Sequence, residues 1–432
     1  MRNKLTISKR GLLILFLIVV VISIIVWLTS GFSHNYETII MRYVVGFIAV
    51  WSIYKGTKEE FLANPYYLFA ITPITLLIYT EKVSYYYLKE LTTRTWLFAI
   101  INFCAFLFAL SFTKAYKNIP DYEEKEDYNE KSLVLHTLIM LVIGAIPRIY
   151  NLTFGHSMFM GSILIYFGYL ALTAAIKSKK KWLIFLLIIY YIFGFFISFT
   201  KTILIAIACT LIVAIEKYIA IDKKRKRQVI ALVVALGVFM VVVGFPLKAY
   251  MARGGKLVGY FTGVEVINQQ FTGYGSRIDL GNLNIVQMPY MYLVSAWNNV
   301  QYVMQTQTSH TYGLWFIKPL LGYLQLDGYF SDAFSLVPYS SFNTFTFVTI
   351  FFKDFGFWGS ALESFFLGWF VKKIYTRCLN SKSLYWTGCY AMTACAVTEM
   401  FFSNHFFMLS YPFTIIIISY LYRLVFKKAK LL

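Results

Sequence analysis

Residues 248–354 form a polar and aromatic stretch between two long hydrophobic runs, and most side chains able to do chemistry sit in it. It opens with Ala252-Arg253-Gly254-Gly255-Lys256, continues through Gly273-Tyr274-Gly275-Ser276-Arg277 and Thr308-Ser309-His310, and ends on Asn343-Thr344-Phe345-Thr346-Phe347 and Phe352-Lys353-Asp354-Phe355-Gly356. A hydroxyl that is to attack needs a base within hydrogen-bond reach, and His310 or Asp354 can serve. An ordinary loop histidine is the alternative reading of His310, since its setting between Ser309 and Thr311 is not specific. Lys201 follows Ile197-Ser198-Phe199-Thr200 at a helix start, where a cation opposes the helix dipole unless an anion compensates it. The spacing therefore predicts an anion-binding lysine. Asp327 and Asp332 are too far apart, with aromatics between them, to form a paired acidic metal motif, so no metal and no cofactor is expected.

The rest of the chain must position that stretch, and its composition says how. Of 432 residues 59% are hydrophobic and 14% charged, with mean hydropathy +0.63, more apolar surface than a water-soluble core hides. The hydrophobic runs match helices that cross a hydrocarbon layer of about 30 Å, and they lack the alternation of a membrane barrel. The predicted fold is an all-α polytopic membrane protein with about twelve spans. They lie near 11–29, 38–54, 65–80, 95–113, 132–150, 157–176, 182–198, 200–218, 229–247, 355–372, 383–402 and 405–423. The first run has no small-residue cleavage site and reads as a retained span. This divides the chain into a membrane region over 1–247, the long loop over 248–354, and a membrane region with a cytoplasmic tail over 355–432. Within the loop, 288–304 and 312–326 are apolar but interrupted by Asn298, Asn299, Lys318 and Pro319, which predicts interfacial or re-entrant helices. Cys104, Cys209, Cys389 and Cys395 fall in predicted spans and Cys378 in a basic loop, with no zinc spacing and a packing role expected.

Orientation follows from charge. With the N-terminus inside, 28 of the 40 Lys and Arg residues fall on cytoplasmic segments, as retention of basic loops requires. The net charge of +20 is then an inner-surface feature suited to anionic lipid, and nucleic acid is not an expected partner. The acidic run over 121–127 reads as a solvated inner linker, and the two halves show no internal repeat. In this topology Arg42, Arg148, Lys201, Asp354, Glu363, Glu399 and His405 gather in or beside the outer half of the membrane. So do His34, His156 and His310, and together these groups imply a water-accessible cavity opening outward. Snorkelling is the alternative for Arg42 and Arg148, and ion pairing with them is the alternative for Glu363 and Glu399.

Three stretches carry a resemblance to a known family: the turn Ser198-Phe199-Thr200-Lys201-Thr202, the loop with Arg253-Gly254-Gly255 and Arg277, and Asn343-Thr344-Phe345-Thr346 followed by Asp354-Phe355-Gly356-Phe357-Trp358-Gly359. With the span layout, the chain resembles the Wzy-type oligosaccharide repeat-unit polymerases of O-antigen and capsule synthesis, relatives of the O-antigen ligases. It departs from the family where Lys201 stands in a turn that commonly reads Ser-Arg, and so lacks the bidentate fork that suits phosphate. The resemblance implies an inverting, metal-independent transfer of a glycan from undecaprenyl pyrophosphate to a second lipid-linked repeat unit, on the outer face of a bacterial cytoplasmic membrane, with both termini inside. It implies Arg253, Arg277, Lys201 and Arg148 as pyrophosphate-binding cations, with His310 and Asp354 as candidate catalytic bases. Tyr274, Trp297 and Asn343 are the implied glycan-binding residues, with membrane anchoring as the alternative for the aromatics. Expected partners are the lipid-linked oligosaccharide, membrane lipid, a flippase and a chain-length regulator. The rivals are an O-antigen ligase, which differs in its acceptor, and a lipid-linked oligosaccharide flippase, which would have to present binding groups to both sides.

Overall fold

The computed structural model describes residues 36–59, 61–80, 88–112, 130–154, 161–198, 201–219, 287–307, 309–324, 326–334, 336, 339, 344–381 and 383–402. The described residues are 82% helix with no strand. The helices are α1 (Tyr36–Gly56), α2 (Pro65–Leu77), α3 (Thr93–Phe112), α4 (Glu130–Phe154), α5 (Gly161–Ser178), α6 (Lys181–Ser198), α7 (Lys201–Tyr218), α8 (Gln287–Thr306), α9 (Leu314–Tyr323), α10 (Phe347–Asn380) and α11 (Leu384–Thr398). A 3-10 turn, Asp327–Phe330, follows α9. Among the described residues three segments are long and apolar enough to cross a membrane: Glu37–Gly56, Thr93–Phe112 and Glu130–Tyr150. Large apolar side chains on the outside, such as Phe112 (71% exposed) and Trp358 (74%), suit contact with hydrocarbon better than with water. The expected segments 11–29, 229–247 and 405–423 lie outside the described residues.

Local chemistry sets several helix ends. Asn64 caps α2, its Oδ1 accepting from the Tyr66 and Tyr67 amides, with Pro65 at the first helical position where no donor is needed. Its Nδ2 donates to Gly56 O and Phe61 O, so the same side chain ties the end of α1 to the start of α2. Lys217 on α7 donates to Cys378 O (2.6 Å) and Leu379 O (2.7 Å) and so satisfies the free carbonyls at the end of α10. Cys378 is thus the buried last turn of α10 and not part of a loop.

Helices meet closely where glycine allows it. A Cβ on Gly368 of α10 would lie 2.4 Å from Phe106 O of α3, and one on Gly144 of α4 would lie 2.7 Å from Gly168 N of α5. The core between α2, α3, α8 and α10 is aromatic: Phe69 stacks on Phe106 at 4.4 Å and meets Phe103 edge-on at 5.7 Å.

The ends of the bundle differ in chemistry. One end holds the starts of α1 and α3, joined by Thr93 Oγ1 to Glu37 at 2.9 Å. Arg42 sits near that end, donating to Leu77 O at the end of α2 and lying over the Trp96 ring. The opposite end carries Lys372 paired with Glu59 at 2.8 Å, Lys180 paired with Glu130, Lys217, and Arg377 over Trp386.

Of the two readings expected for α8, interfacial or re-entrant, burial disfavours the first. An interfacial helix would keep one face outside, yet Met291, Val294–Gln301, Val303 and Met304 are all buried. Its polar residues work inside the protein. Asn298 Oδ1 accepts the Lys89 amide (3.1 Å), Gln301 Oε1 accepts the Thr92 amide (2.6 Å), and Gln301 Nε2 donates to Glu90 O (2.8 Å). Asn299 donates to Thr344 O (2.7 Å) and accepts the Tyr339 amide (2.9 Å). Polar backbone beside a membrane must be satisfied internally, and α8 does so for two connecting segments at once.

Candidate functional site

The site forms where the segment after α8 docks on a break in α10. Inside α10, Gly356 adopts φ 69° and ψ −159°, a conformation far from helical that divides the element into an arm, 347–355, and a long helix, 357–380. Thr311 N donates to Lys353 O (3.0 Å) and Tyr312 N to Asp354 O (2.9 Å), carbonyls at the end of the arm that the break leaves free. The chain then turns through Tyr312 (φ 48°) and Gly313 (φ 89°), both left-handed, into α9.

Asp354, fully buried, holds this turn in place. Its Oδ1 accepts from Thr311 Oγ1 in a short bond and from the Gly313 and Trp315 amides at 3.2 Å each. A carboxylate at the start of α9 also lies at the favourable end of that helix dipole. The geometry gives Asp354 a holding role, with Oδ1 occupied by the loop.

His310 is the residue that this arrangement presents. Its ring lies edge-on to Phe352 at 5.7 Å and to Tyr312 at 6.3 Å, and rests on Gly356, where a Cβ would come within 2.9 Å of Nε2. Its Nδ1 is buried with no hydrogen-bond partner among the described residues. Lys353 is 3% exposed. Burial lowers the Lys353 pKa, opposed by the neighbouring Asp354 carboxylate. Trp315 Nε1 is likewise buried without a partner, while Lys318 lies 4.3 Å from the Trp315 ring.

The sequence-predicted residues divide into three groups. His310 and Asp354 come together. Arg148, on α4, donates to Tyr190 O (3.2 Å) and stacks over Tyr190 and Tyr191, at 4.4 and 5.7 Å, with Nη2 buried and unpartnered among the described residues. It sits among α4 and α6 and not on the α9–α10 junction. Neither Arg148 nor Glu363 forms an ion pair among the described residues, so the expected pairing of those two is absent. Lys201 is the first residue of α7, the helix start anticipated for it. Arg253, Arg277, Tyr274, Asn343 and His405 lie outside the described residues.

Trp297 requires a correction. It is 0% exposed, its Nε1 donates to Thr75 Oγ1 at 3.0 Å, and its ring meets Phe103 edge-on at 5.6 Å, so it has no face to offer a sugar. An indole in a polar stretch reads as exposed only when the stretch is taken for a surface loop. Thr311, Gly356 and Lys353, which the structure places at the junction, were visible only as neighbours of His310 and Asp354. A glycine directly after Asp-Phe at a predicted span start was the one signal of a break.

Among the described residues no three His, Cys, Asp or Glu side chains are grouped to hold a metal ion. No family model, curated protein or solved structure matches the chain.

Proposed function

We propose that this chain is a polysaccharide polymerase of the bacterial cytoplasmic membrane, with about twelve spans, both termini inside, and residues 248–354 on the outer face. It joins oligosaccharide repeat units carried on undecaprenyl pyrophosphate. The observation that carries the reading is the seating of His310 on the Gly356 break, with its loop pinned by Asp354, at the end of the bundle opposite the Lys372–Glu59 and Lys180–Glu130 pairs. The basic end then lies inside, and the imidazole lies at the level where a lipid-linked sugar is held.

In the reaction the acceptor sugar hydroxyl loses its proton to His310. Its oxygen bonds to the anomeric carbon of the donor glycan from the face opposite the carrier. The carbon–oxygen bond to the pyrophosphate breaks, and that electron pair leaves with the diphosphate, giving inversion. Diphosphate is a good leaving group, so cations matter more than an acid, and Arg253, Arg277, Lys201 and Arg148 are the groups assigned to it. Tyr274 and Asn343 remain the residues assigned to the glycan.

The test is product length in cells that lack the gene. A polymerase defect leaves single repeat units on the final carrier, whereas a ligase defect leaves no transferred glycan. Complementation with the wild-type chain restores long polymer. Complementation with Arg253→Ala or Arg277→Ala does not, and full-length polymer from both variants would remove those residues from the site.

A further inference from the structure

We propose that the Tyr191 hydroxyl and the Arg148 guanidinium share one anion, a phosphate of the lipid-linked substrate, at a site between α4, α5 and α6. The inference rests on the polymerase reading, which assigns Arg148 to the diphosphate, and adds Tyr191 as a second donor to the same group.

Both groups are buried donors without an acceptor. Tyr191 is 0% exposed, and its hydroxyl oxygen has no hydrogen-bond partner among the described residues. Arg148 Nη2 is buried and equally unpartnered there, although Nη1 donates to Tyr190 O at 3.2 Å. The guanidinium carbon lies 5.7 Å from the centre of the Tyr191 ring. Packing accounts for that ring but not for its oxygen: Tyr191 stacks on Tyr169 at 5.5 Å, a contact that phenylalanine would make as well. A buried donor left without an acceptor is costly, and a cation in a membrane span is more so.

The surroundings favour a partner that arrives from outside. The neighbouring hydroxyl of Tyr190 has its acceptor, Gly144 O at 2.7 Å, whereas the Tyr191 hydroxyl comes up against Gly168, where a Cβ would lie 3.1 Å from it. Gly144 and Gly168 form the close contact of α4 with α5, and Arg148 stands one turn further along α4. Three helices thus bring a cation and a hydroxyl to one place, and no described carboxylate pairs with the cation. A phosphate accepts from several donors at once and supplies the countercharge that water does not. The level agrees. Glu130, at the start of α4, pairs with Lys180 at the basic end of the bundle, and the rise from Glu130 to Arg148 is about 27 Å at roughly 1.5 Å per residue. In the proposed orientation that height is the outer leaflet, where the phosphates of the carrier lie. Arg148 is only partly buried, so its head can swing off Tyr190 to admit the group.

The experiment measures binding of glycan-free undecaprenyl pyrophosphate to the full chain in detergent, beside thermal unfolding without ligand, for wild type, Tyr191→Phe, Arg148→Gln and the double variant. Tyr191→Phe removes only the oxygen and is expected to weaken binding at least about tenfold, the loss of one hydrogen bond to a charged group. Its ligand-free unfolding temperature is expected to stay level or rise, because an unpartnered buried hydroxyl has been removed. In the Arg148→Gln background the same substitution is expected to cost less than about threefold, since the shared anion is already weakly held. Unchanged binding in Tyr191→Phe overturns the proposal and leaves the polymerase reading standing. A fall in its unfolding temperature also overturns it, since the hydroxyl would then serve the fold. An equal loss in both backgrounds overturns it as well, because the two groups would not share one anion. Competition by phosphatidylglycerol and by inorganic pyrophosphate separates the sources: potency of either equal to that of the carrier overturns the carrier as ligand. Failure of the wild-type chain to bind the carrier at all overturns the polymerase reading itself, and the proposal with it.

Discussion

Replacing Gly356 with alanine tests the junction where backbone and chemistry meet. At φ 69° and ψ −159° the residue occupies a region that is essentially glycine-only, and a side chain there costs about 1–3 kcal/mol. The new Cβ would also lie 2.9 Å from His310 Nε2 and 3.0 Å from its Cε1, closer than carbon tolerates, so the imidazole must shift. The alternative is to straighten α10, which draws Lys353 O and Asp354 away from Thr311, Tyr312, Gly313 and Trp315. On either path His310 leaves its position, and a displacement of about 1 Å in a reacting group costs roughly 100-fold in rate. Two controls separate the causes. Gly313→Ala carries similar backbone strain at φ 89° but meets Phe355 at 3.3 Å instead of the histidine, and Gly328→Ala meets nothing within 4 Å. The assay is polymer length in complemented cells, with membrane insertion checked by immunoblot. The expected order of activity is Gly328→Ala, then Gly313→Ala, then Gly356→Ala at least about 100-fold down. Long polymer from a correctly inserted Gly356→Ala protein would refute both the catalytic role of His310 and the value placed on the break.

Asp354→Ala strands three donors at the start of α9 and is expected to lower stability by about 1–3 kcal/mol or more, while Asp354→Asn, which keeps an acceptor oxygen, loses less. Thermal unfolding in detergent measures both, and an unaltered Asp354→Ala protein would contradict the holding role. Trp297→Ala is expected to destabilise by about 3–5 kcal/mol through its cavity and the loss of the Thr75 bond. Its folded fraction should bind lipid-linked glycan as the wild type does, and a selective loss of glycan affinity would return the indole to the site. Lys217→Met uncaps α10 by removing two ammonium-to-carbonyl bonds and is expected to cost about 1.5–3 kcal/mol at the end remote from the site, with turnover per folded molecule unchanged.

Hydropathy placed the helices well because burial in lipid and burial in protein both select long apolar runs. The segments expected at 38–54, 65–80, 95–113 and 132–150 fall on α1, α2, α3 and α4 within a few residues. It did not show what the polar residues of α8 do: Asn298, Asn299 and Gln301 satisfy the backbone of chain segments far away in sequence. A polar side chain looks the same in sequence whether water or a buried amide is its partner. Trp297 was misplaced for the same reason. His310 and Asp354 were each visible as candidates, but the bonding that joins their segments was not. It depends on a helix break that a single glycine permits and on a left-handed turn through Tyr312, a residue with no such preference. The burial of Lys353 was not legible in the sequence, since burial is a property of the assembled helices.

The most direct measurement is incubation of the purified chain with a synthetic undecaprenyl-pyrophosphate-linked repeat unit, followed by separation of products on a gel. The account predicts a ladder of lengthening glycans that is lost in His310→Ala. A single unextended band from active, folded wild-type protein, or an undiminished ladder from His310→Ala, would contradict it.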